Sequence, residues 1–315
     1  MTAVFILTKL FRSALTVVLA LAFTFVLLRF AGDPALAVLG VDAAPEALEH
    51  FRTRYGLDHS VAHQFVFYLS NLMSGDFGTS LRDGRPVVDV VFEALPKTLQ
   101  LMGIGFLLAM AIGIPAGLLA ALKQGRFLDR LVMSLSVIGF SLPNFFLGLL
   151  LILIFTLWLR LLPAGGSSSP LHFVMPVITL ATAYIGIVAR YARASMLTVL
   201  EKPYLVAARA RGASTITIVI RHALPNAAIP IVTICGLVFG SLLGGAAVIE
   251  TVFAWPGMGR LLVNSVLAKD LPVVQFIVIM LTVVMVVTNL CIDLAYRLLD
   301  PRIASSPAGS QRKGA

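Results

Sequence analysis

Charge is what this sequence has least of. Only 12% of its 315 residues are charged while 59% are hydrophobic, about half the charged fraction of an ordinary soluble domain. A soluble globular chain of this length is thereby excluded. Cysteine is nearly missing too. Cys235 and Cys291 are the only two, and no CxxC pair occurs. A disulfide scaffold and a cysteine metal centre drop out, and both residues read as small buried hydrophobes. No Asp or Glu falls in the middle of a long apolar run, which argues against an intramembrane carboxylate relay of the kind proton- or sodium-coupled carriers use. There is no H-E-x-x-H, no aspartate pair for intramembrane proteolysis and no G-x-x-x-x-G-K-[ST] phosphate cradle, so nucleotide hydrolysis by this chain is not expected. No filter-like segment is visible either. The sequence points to no enzyme activity, cofactor or metal centre.

What is present is apolar length. Leaving histidine aside, charge-free runs cover 13–28, 98–122, 131–159, 161–189, 222–249 and 271–292. About 20 apolar residues carry a helix across the hydrocarbon core. Five runs reach that, and the first is extended by Leu10, Phe11 and Phe30, with Arg12 and Arg29 able to snorkel. No small-residue cleavage site precedes Asp33, so this run is expected to be a retained span and not a signal peptide. The stretch Pro163–Pro170 is rich in Gly, Ser and Pro, which puts the start of the fourth helix near Met175. Six spans place both termini on one side. Segments 1–12, 123–130, 189–222 and 293–315 hold 15 Lys and Arg against four acids, and 32–97 with 249–272 hold 7 against 11. The positive-inside rule makes the first set, and both termini, cytoplasmic. The formal charge of +9 is therefore matched to anionic membrane lipid, not to nucleic acid.

The one sizeable outer segment, 32–97, is expected to hold two short helices. Pro45–Tyr55 has acids early, arginines late and Gly56 as a stop. Val61–Met73 has Ser60 as its cap and Gly75 beyond it. His50, His59 and His63 lie here; solvated or capping histidines outweigh metal ligation, since no Cys joins them and His59 precedes the helix. Within the spans, Gly103, Gly105, Gly113 and Gly117, and Gly236, Gly240, Gly244 and Gly245, are spaced for close helix packing or for lining a path through the membrane. Ser134, Ser136, Ser141 and Asn144 in the third span, and Thr233 and Ser241 in the fifth, either wet such a path or bond nearby carbonyls. Ser141, Asn144, Thr233 and Ser241 are the path candidates.

The most telling stretch is the basic cytoplasmic connection between the fourth and fifth spans. Pro203 opens a short helix through Tyr204-Leu205-Val206-Ala207-Ala208-Arg209-Ala210-Arg211 that stops at Gly212. Ser214 caps a second helix through His222, which is expected to end before Pro225. Thr215–Ile220 are six β-branched residues in a row, which alone favour a strand, yet the apolar positions 216, 219, 220, 223 and 224 fit a helical stripe.

A-A-R-A-R-G at 207–212, followed after nine residues by H-A-L-P at 222–225, resembles the EAA loop of ABC-importer permeases, with Val206 in place of the glutamate and His222 in place of an isoleucine. G-D-F-G-T-S-L at 75–81, L-P-K-T-L at 95–99, E-T-V-F-A-W-P-G-M-G-R-L-L at 250–262, K-D-L-P-V-V-Q at 269–275 and D-L-A-Y-R-L-L-D-P-R-I at 293–303 are similar to segments of the dipeptide, oligopeptide and nickel branch, and the long outer loop resembles the first of its two paired permeases. The resemblance implies an all-α integral membrane protein of the bacterial inner membrane with the type I importer permease fold and six transmembrane helices. It divides into a tail and first span (1–31), an outer region (32–97), a five-helix core (98–303) with the coupling loop at 199–225, and a flexible tail (304–315). It further implies a pore-forming subunit importing di- or oligopeptides, with nickel or a metal chelate as the alternative cargo and a secondary carrier or channel as the alternative class. Its partners would be a second related permease, two cytoplasmic ABC ATPase subunits and an extracytoplasmic solute-binding protein. The coupling residues would be Tyr204, Ala207, Ala208, Arg209, Gly212, Leu224 and Pro225.

Overall fold

The computed structural model describes residues 2–30, 34–40, 42–54 and 56–299. The expected tail at 304–315, the last residues of the 293–303 motif, Tyr55, and the side chains of Val206, Arg209 and Cys291 lie outside the described residues. Thirteen α-helices follow in order among them: α1 Thr2–Phe30, α2 Pro34–Leu39, α3 Pro45–Arg54, α4 Val61–Met73, α5 Val87–Leu122, α6 Phe127–Ser141, α7 Asn144–Leu151, α8 Leu171–Leu200, α9 Pro203–Ala210, α10 Thr215–Thr217, α11 Leu224–Val252, α12 Met258–Leu267 and α13 Leu271–Leu299. Wider π turns extend α7 through Ile152–Trp158 and join α10 to α11 through Ile218–Ala223. The only β pairing among the described residues is an isolated bridge, Thr79 to Pro86.

Four helical stretches are long and apolar enough to cross a membrane: Val87–Leu122, Leu171–Leu200, Ile218–Val252 and Leu271–Leu290. The pair α6 and α7, bent by 95°, makes a fifth if counted as one crossing. In α1 the described apolar stretch is Ala14–Leu27. The expected third span is therefore not one straight helix. Pro143 has no N–H to continue the ladder and holds Leu142 in an extended conformation (ψ 122°), as a residue before proline prefers.

Three other ends differ from expectation. Helix α5 starts at Val87, not Thr98, and runs through Pro96, because Val87, Val91 and Ala94 are buried on one face while Asp89, Glu93 and Lys97 recur every fourth residue on another. Helix α8 starts at Leu171 with Pro176 inside it. Thr215 to the fifth span is continuous, with no break before Pro225; the π turn ahead of it removes the clash a proline ring makes with the carbonyl four residues back.

The chain divides into two compact units. One takes in the described residues up to Gln100, with Gly165–Ser167 and Glu250–Val286. In it Phe25 of α1 packs edge-on against Phe65 of α4, ring centroids 5.3 Å apart. Burial there pushes the Tyr68 phenol up to about 12. Ser60 caps α4 as expected, its Oγ accepting the His63 N–H. A core of Val87, Val91, Ala94, Met258, Val273, Phe276 and Ile277 ties α5, α12 and α13 together, and Asp270 holds the 75–86 loop by accepting the Ser80 hydroxyl and the Leu81 N–H (3.0 Å).

The other unit, Leu101–Ala164, Ser168–Ile249 and the described residues from Val287, is organised on α8. Gly117 of α5 lies so close to α8 that a β-carbon would strike the Ala189 carbonyl, and one on Gly186 would come within 2.6 Å of the Ser136 carbonyl oxygen. Small residues here set the approach of α5 and α6 to α8, which for Gly117 is the packing alternative of the two that the second-span glycines left open.

Candidate functional site

The connection after α8 is built from one face inward and one face outward. Leu205 and Ala208 of α9 are buried with Met196, Val199, Ile218, Ala223, Ala227 and Ile231. This fixes the short helix to its own bundle, Leu205 contributing about 1.5–3 kcal/mol and the Ala208 methyl about 0.8 kcal/mol. Tyr204, Ala207, Arg211 and Gly212 are left exposed. The Arg211 N–H reaches back to the Ala207 carbonyl (3.2 Å) and the Ala213 N–H to that of Ala208 (3.2 Å). Between them Gly212 sits at φ +82°, a left-handed conformation cheap for glycine alone. Ser214 Oγ then accepts the Thr217 N–H (3.2 Å) and starts the next turn, so Thr215–Ile220 are helical despite their β-branching: the cap and the burial of Ile218 outweigh local propensity. Leu224 is half-buried and Pro225 exposed at the start of α11.

Of the path candidates, Ser141 and Asn144 flank the bend at Pro143, with Ser141 exposed and Asn144 half-buried. Thr233 spends its hydroxyl on the Ile229 carbonyl (3.0 Å) and Ser241 its own on that of Val238 (2.9 Å), while the Ser241 carbonyl accepts the Tyr184 hydroxyl (3.0 Å). No hydrogen bond among the described residues joins the first pair to the second. Among the described residues there is also no group of three or more His, Cys, Asp or Glu side chains placed to hold a metal ion; the His59 and His63 rings lie tilted at 59° with centroids 4.9 Å apart.

Two constellations were not foreseen. Asp129, buried at the start of α6, receives a two-pronged bond from Arg193 of α8, Nε to Oδ1 at 2.6 Å and Nη2 to Oδ2 at 2.8 Å, and also the Gly125 N–H (2.9 Å). The signal in the sequence was slight: one acid among three basic residues in the 123–130 connection. In the first unit the carboxylate of Glu250, fully buried at the end of α11, accepts the Thr98 hydroxyl (2.6 Å) and the Arg260 N–H (3.0 Å). The same Thr98 oxygen accepts the Met258 N–H (2.7 Å). Thr98 and Glu250 thus satisfy the first amides of α12, which otherwise has no side-chain cap of its own. Trp255, also buried, donates its indole N–H to the Lys97 carbonyl (3.0 Å). Ala254, at φ +46°, is held in that strained conformation by the Arg260 guanidinium on its carbonyl (2.6 Å).

Residues 113–305 match the family described as binding-protein-dependent transport system inner membrane component, and residues 2–102 match that family's N-terminal region. The chain is 42% identical over 289 residues to the glutathione transport system permease protein GsiC of Escherichia coli (strain K12), covering 92% of this chain and 94% of the relative. It has the same identity and coverage with GsiC of Shigella dysenteriae serotype 1 (strain Sd197). Among solved structures, the inward-facing MetNI methionine ABC transporter aligns with a TM-score of 0.59 at 20% identity, over 68% of this chain and 98% of that one. An amino acid ABC transporter with histidines aligns at 0.52 and 21%, over 67% and 94%. These two share the fold. The chain therefore belongs to the binding-protein-dependent transport system inner membrane component family: it is a multi-pass pore-forming permease subunit of an ABC importer in the inner membrane, not an enzyme, and ATP is hydrolysed by a separate subunit.

Proposed function

We propose that this permease imports small peptide-like solutes, pairs with a second related permease, and uses α9 as the seat for one of two cytoplasmic ATPases. The observation that carries the reading is the two-faced build of α9. Leu205 and Ala208 anchor it to the bundle while Tyr204, Ala207 and Arg211 face outward, and Gly212 ends it in a conformation other residues resist. A helix so held transmits force: ATP-driven closure of the partner pushes on the outer face, and the buried face passes the displacement to α8 and α11. An extracytoplasmic binding protein would deliver the solute. The glutathione transport named for the relatives, whose cargo is a small peptide, supports peptide-like import over nickel.

The reading extends to six crossings with both termini cytoplasmic. Helix α1 has 29 residues, about 43 Å at 1.5 Å per residue, and carries an exposed apolar stripe of Phe11, Leu15, Leu19, Phe23 and Leu27 suited to lipid. With the α6–α7 pair as one crossing, the count is six.

The test is Gly212→Val, compared with the wild type at equal membrane expression. A valine at this backbone conformation costs about 1–2 kcal/mol and tilts the following turn, leaving the apolar spans intact. Co-purified ATPase or solute uptake should fall severalfold. Arg209→Ala should show the same defect more mildly. If ATPase recovery and uptake are both normal in Gly212→Val, α9 is not the coupling element.

A further inference from the structure

The first unit carries a cleft that the coupling reading does not use. Its volume is about 320 Å³, at the small end of the range for ligand sites. Val90, Glu93 and Lys97 of α5 and Arg260, Leu261 and Asn264 of α12 line it. Two cations thus share one small concavity, and neither has an anionic partner there. Lys97, half-buried, makes no hydrogen bond or ion pair with its ammonium among the described residues. Arg260 gives one nitrogen to a neutral acceptor, the Ala254 carbonyl.

The nearby carboxylates are already engaged. Glu93 pairs with Arg85. Glu250 lies behind Gly257, so close that a β-carbon there would strike it, and its oxygens are taken by Thr98 and the Arg260 N–H. The side chains that line the cleft carry two positive charges, Lys97 and Arg260, against the single negative charge of Glu93. The two cations also stand on fixed backbone: the Lys97 carbonyl accepts the Trp255 indole N–H, and the Arg260 N–H is held on Glu250. The Arg260 guanidinium, also held on the Ala254 carbonyl, loses little freedom when a ligand arrives.

We propose that this cleft binds the carboxylate of a small peptide-like solute through Lys97 and the remaining guanidinium nitrogens of Arg260, with the Asn264 amide beside them to meet a peptide group. This rests on the importer reading, in which α12 lies on the outer side. An acidic side chain of the binding protein carries the same chemistry. The small volume of the cleft, walled by Val90 and Leu261, fits a free solute.

The test uses the transporter isolated from its native membrane with its associated subunits, in lipid nanodiscs, with alanylalanine as the probe in a ligand-observed NMR titration. Alanylalanine should bind saturably and its C-terminal amide about tenfold more weakly, as expected for loss of a charge-assisted contact. Lys97→Gln should weaken alanylalanine by a similar factor and leave the amide unchanged. Arg260→Lys, which keeps the charge and loses the fork, should fall in between. No saturable binding, equal binding of acid and amide, or unchanged binding to Lys97→Gln overturns the assignment. So does loss of binding-protein association in Lys97→Gln with alanylalanine binding intact, because the cations would then belong to a protein carboxylate. The Lys97 ammonium supports no internal contact, so Lys97→Gln is expected to fold and to retain its ATPases. Failure of the wild-type chain to co-purify with any ATPase would count against the permease reading itself and is read separately from the titration.

Discussion

At the scale of single residues, the strongest polar contact in the α8 unit is one that charge counting along the chain cannot see. Asp129 and Arg193 are 64 positions apart and meet only because α6 packs on α8 through Gly186 and Gly139. The fork of Arg193 takes both carboxylate oxygens, and the Gly125 N–H takes part of what remains. Removing the guanidinium leaves a buried carboxylate short of donors, so Arg193→Ala should cost about 1.5–3 kcal/mol. Arg193→Lys should recover only part of it, a point charge being no substitute for a planar fork. Thermal unfolding of the detergent-solubilised transporter checks both, and an unshifted Arg193→Ala would show the pair to be idle. Tyr68 gives a second expectation, in pH. Its phenol is raised from 10.0 to about 12 by burial, so the folded state holds the neutral form after the unfolded one has ionised. Stability from this residue is complete below pH 10.0 and is lost as pH climbs toward 12. Tyr68→Phe should therefore flatten the alkaline loss of α4 protection measured by hydrogen exchange, and an unchanged loss in that variant would rule Tyr68 out as its source.

At the scale of elements, what could be read in advance was whatever local chemistry decides. Helix α4 begins and ends where Ser60 and Gly75 indicated, α3 starts at Pro45, and Gly212 stops α9, because caps and glycine stops act within a few residues. What escaped was set by contacts distant in sequence. Apolar composition is blind to Pro143 turning one run into two helices at 95°. The start of α5 at Val87 depends on burial against α12 and α13. Helix α12 went unread because its cap is not adjacent: Thr98 and Glu250 come from α5 and α11. The short helix from Pro203 to the Gly212 stop was legible in position, whereas which of its residues turn inward was not, since that needs the packing of Leu205 and Ala208. The remote cap of α12 yields its own expectation. Thr98→Val keeps the shape but strands the Met258 N–H and one Glu250 oxygen, at a cost of about 1–3 kcal/mol. Trp255 is anchored on the neighbouring Lys97 carbonyl, so loosening should appear as faster amide exchange over 255–261 and a changed indole emission. Exchange there equal to wild type would mean that α12 is held by its apolar face alone.

For the whole molecule, the open number is the count of crossings, and the α6–α7 pair decides it. If the pair crosses, Gly125 and Ser168 lie on opposite sides of the membrane; if it returns to the side it entered from, they lie on the same side. With six crossings, the excess of Lys and Arg in 123–130 and 189–222 would put Gly125 and Ser214 inside, with Ser60 and Ser168 outside. The turn at Pro143 does not oppose a crossing, because a span interrupted by proline can satisfy its freed carbonyls from neighbouring helices when it is buried in protein. Single cysteines at Gly125, Ser214, Ser60 and Ser168, in a background lacking Cys235 and Cys291, provide the measurement. An impermeant thiol reagent applied to cells with a permeabilised outer membrane should label Ser60→Cys and Ser168→Cys, and the other two only after the inner membrane is opened. Shielding of Ser168→Cys alongside Gly125→Cys would make the pair re-entrant, reduce the count to five and move the C-terminus to the outer side. Labelling of Ser214→Cys in sealed cells would turn α9 away from the cytoplasm and remove the ATPase from its reach.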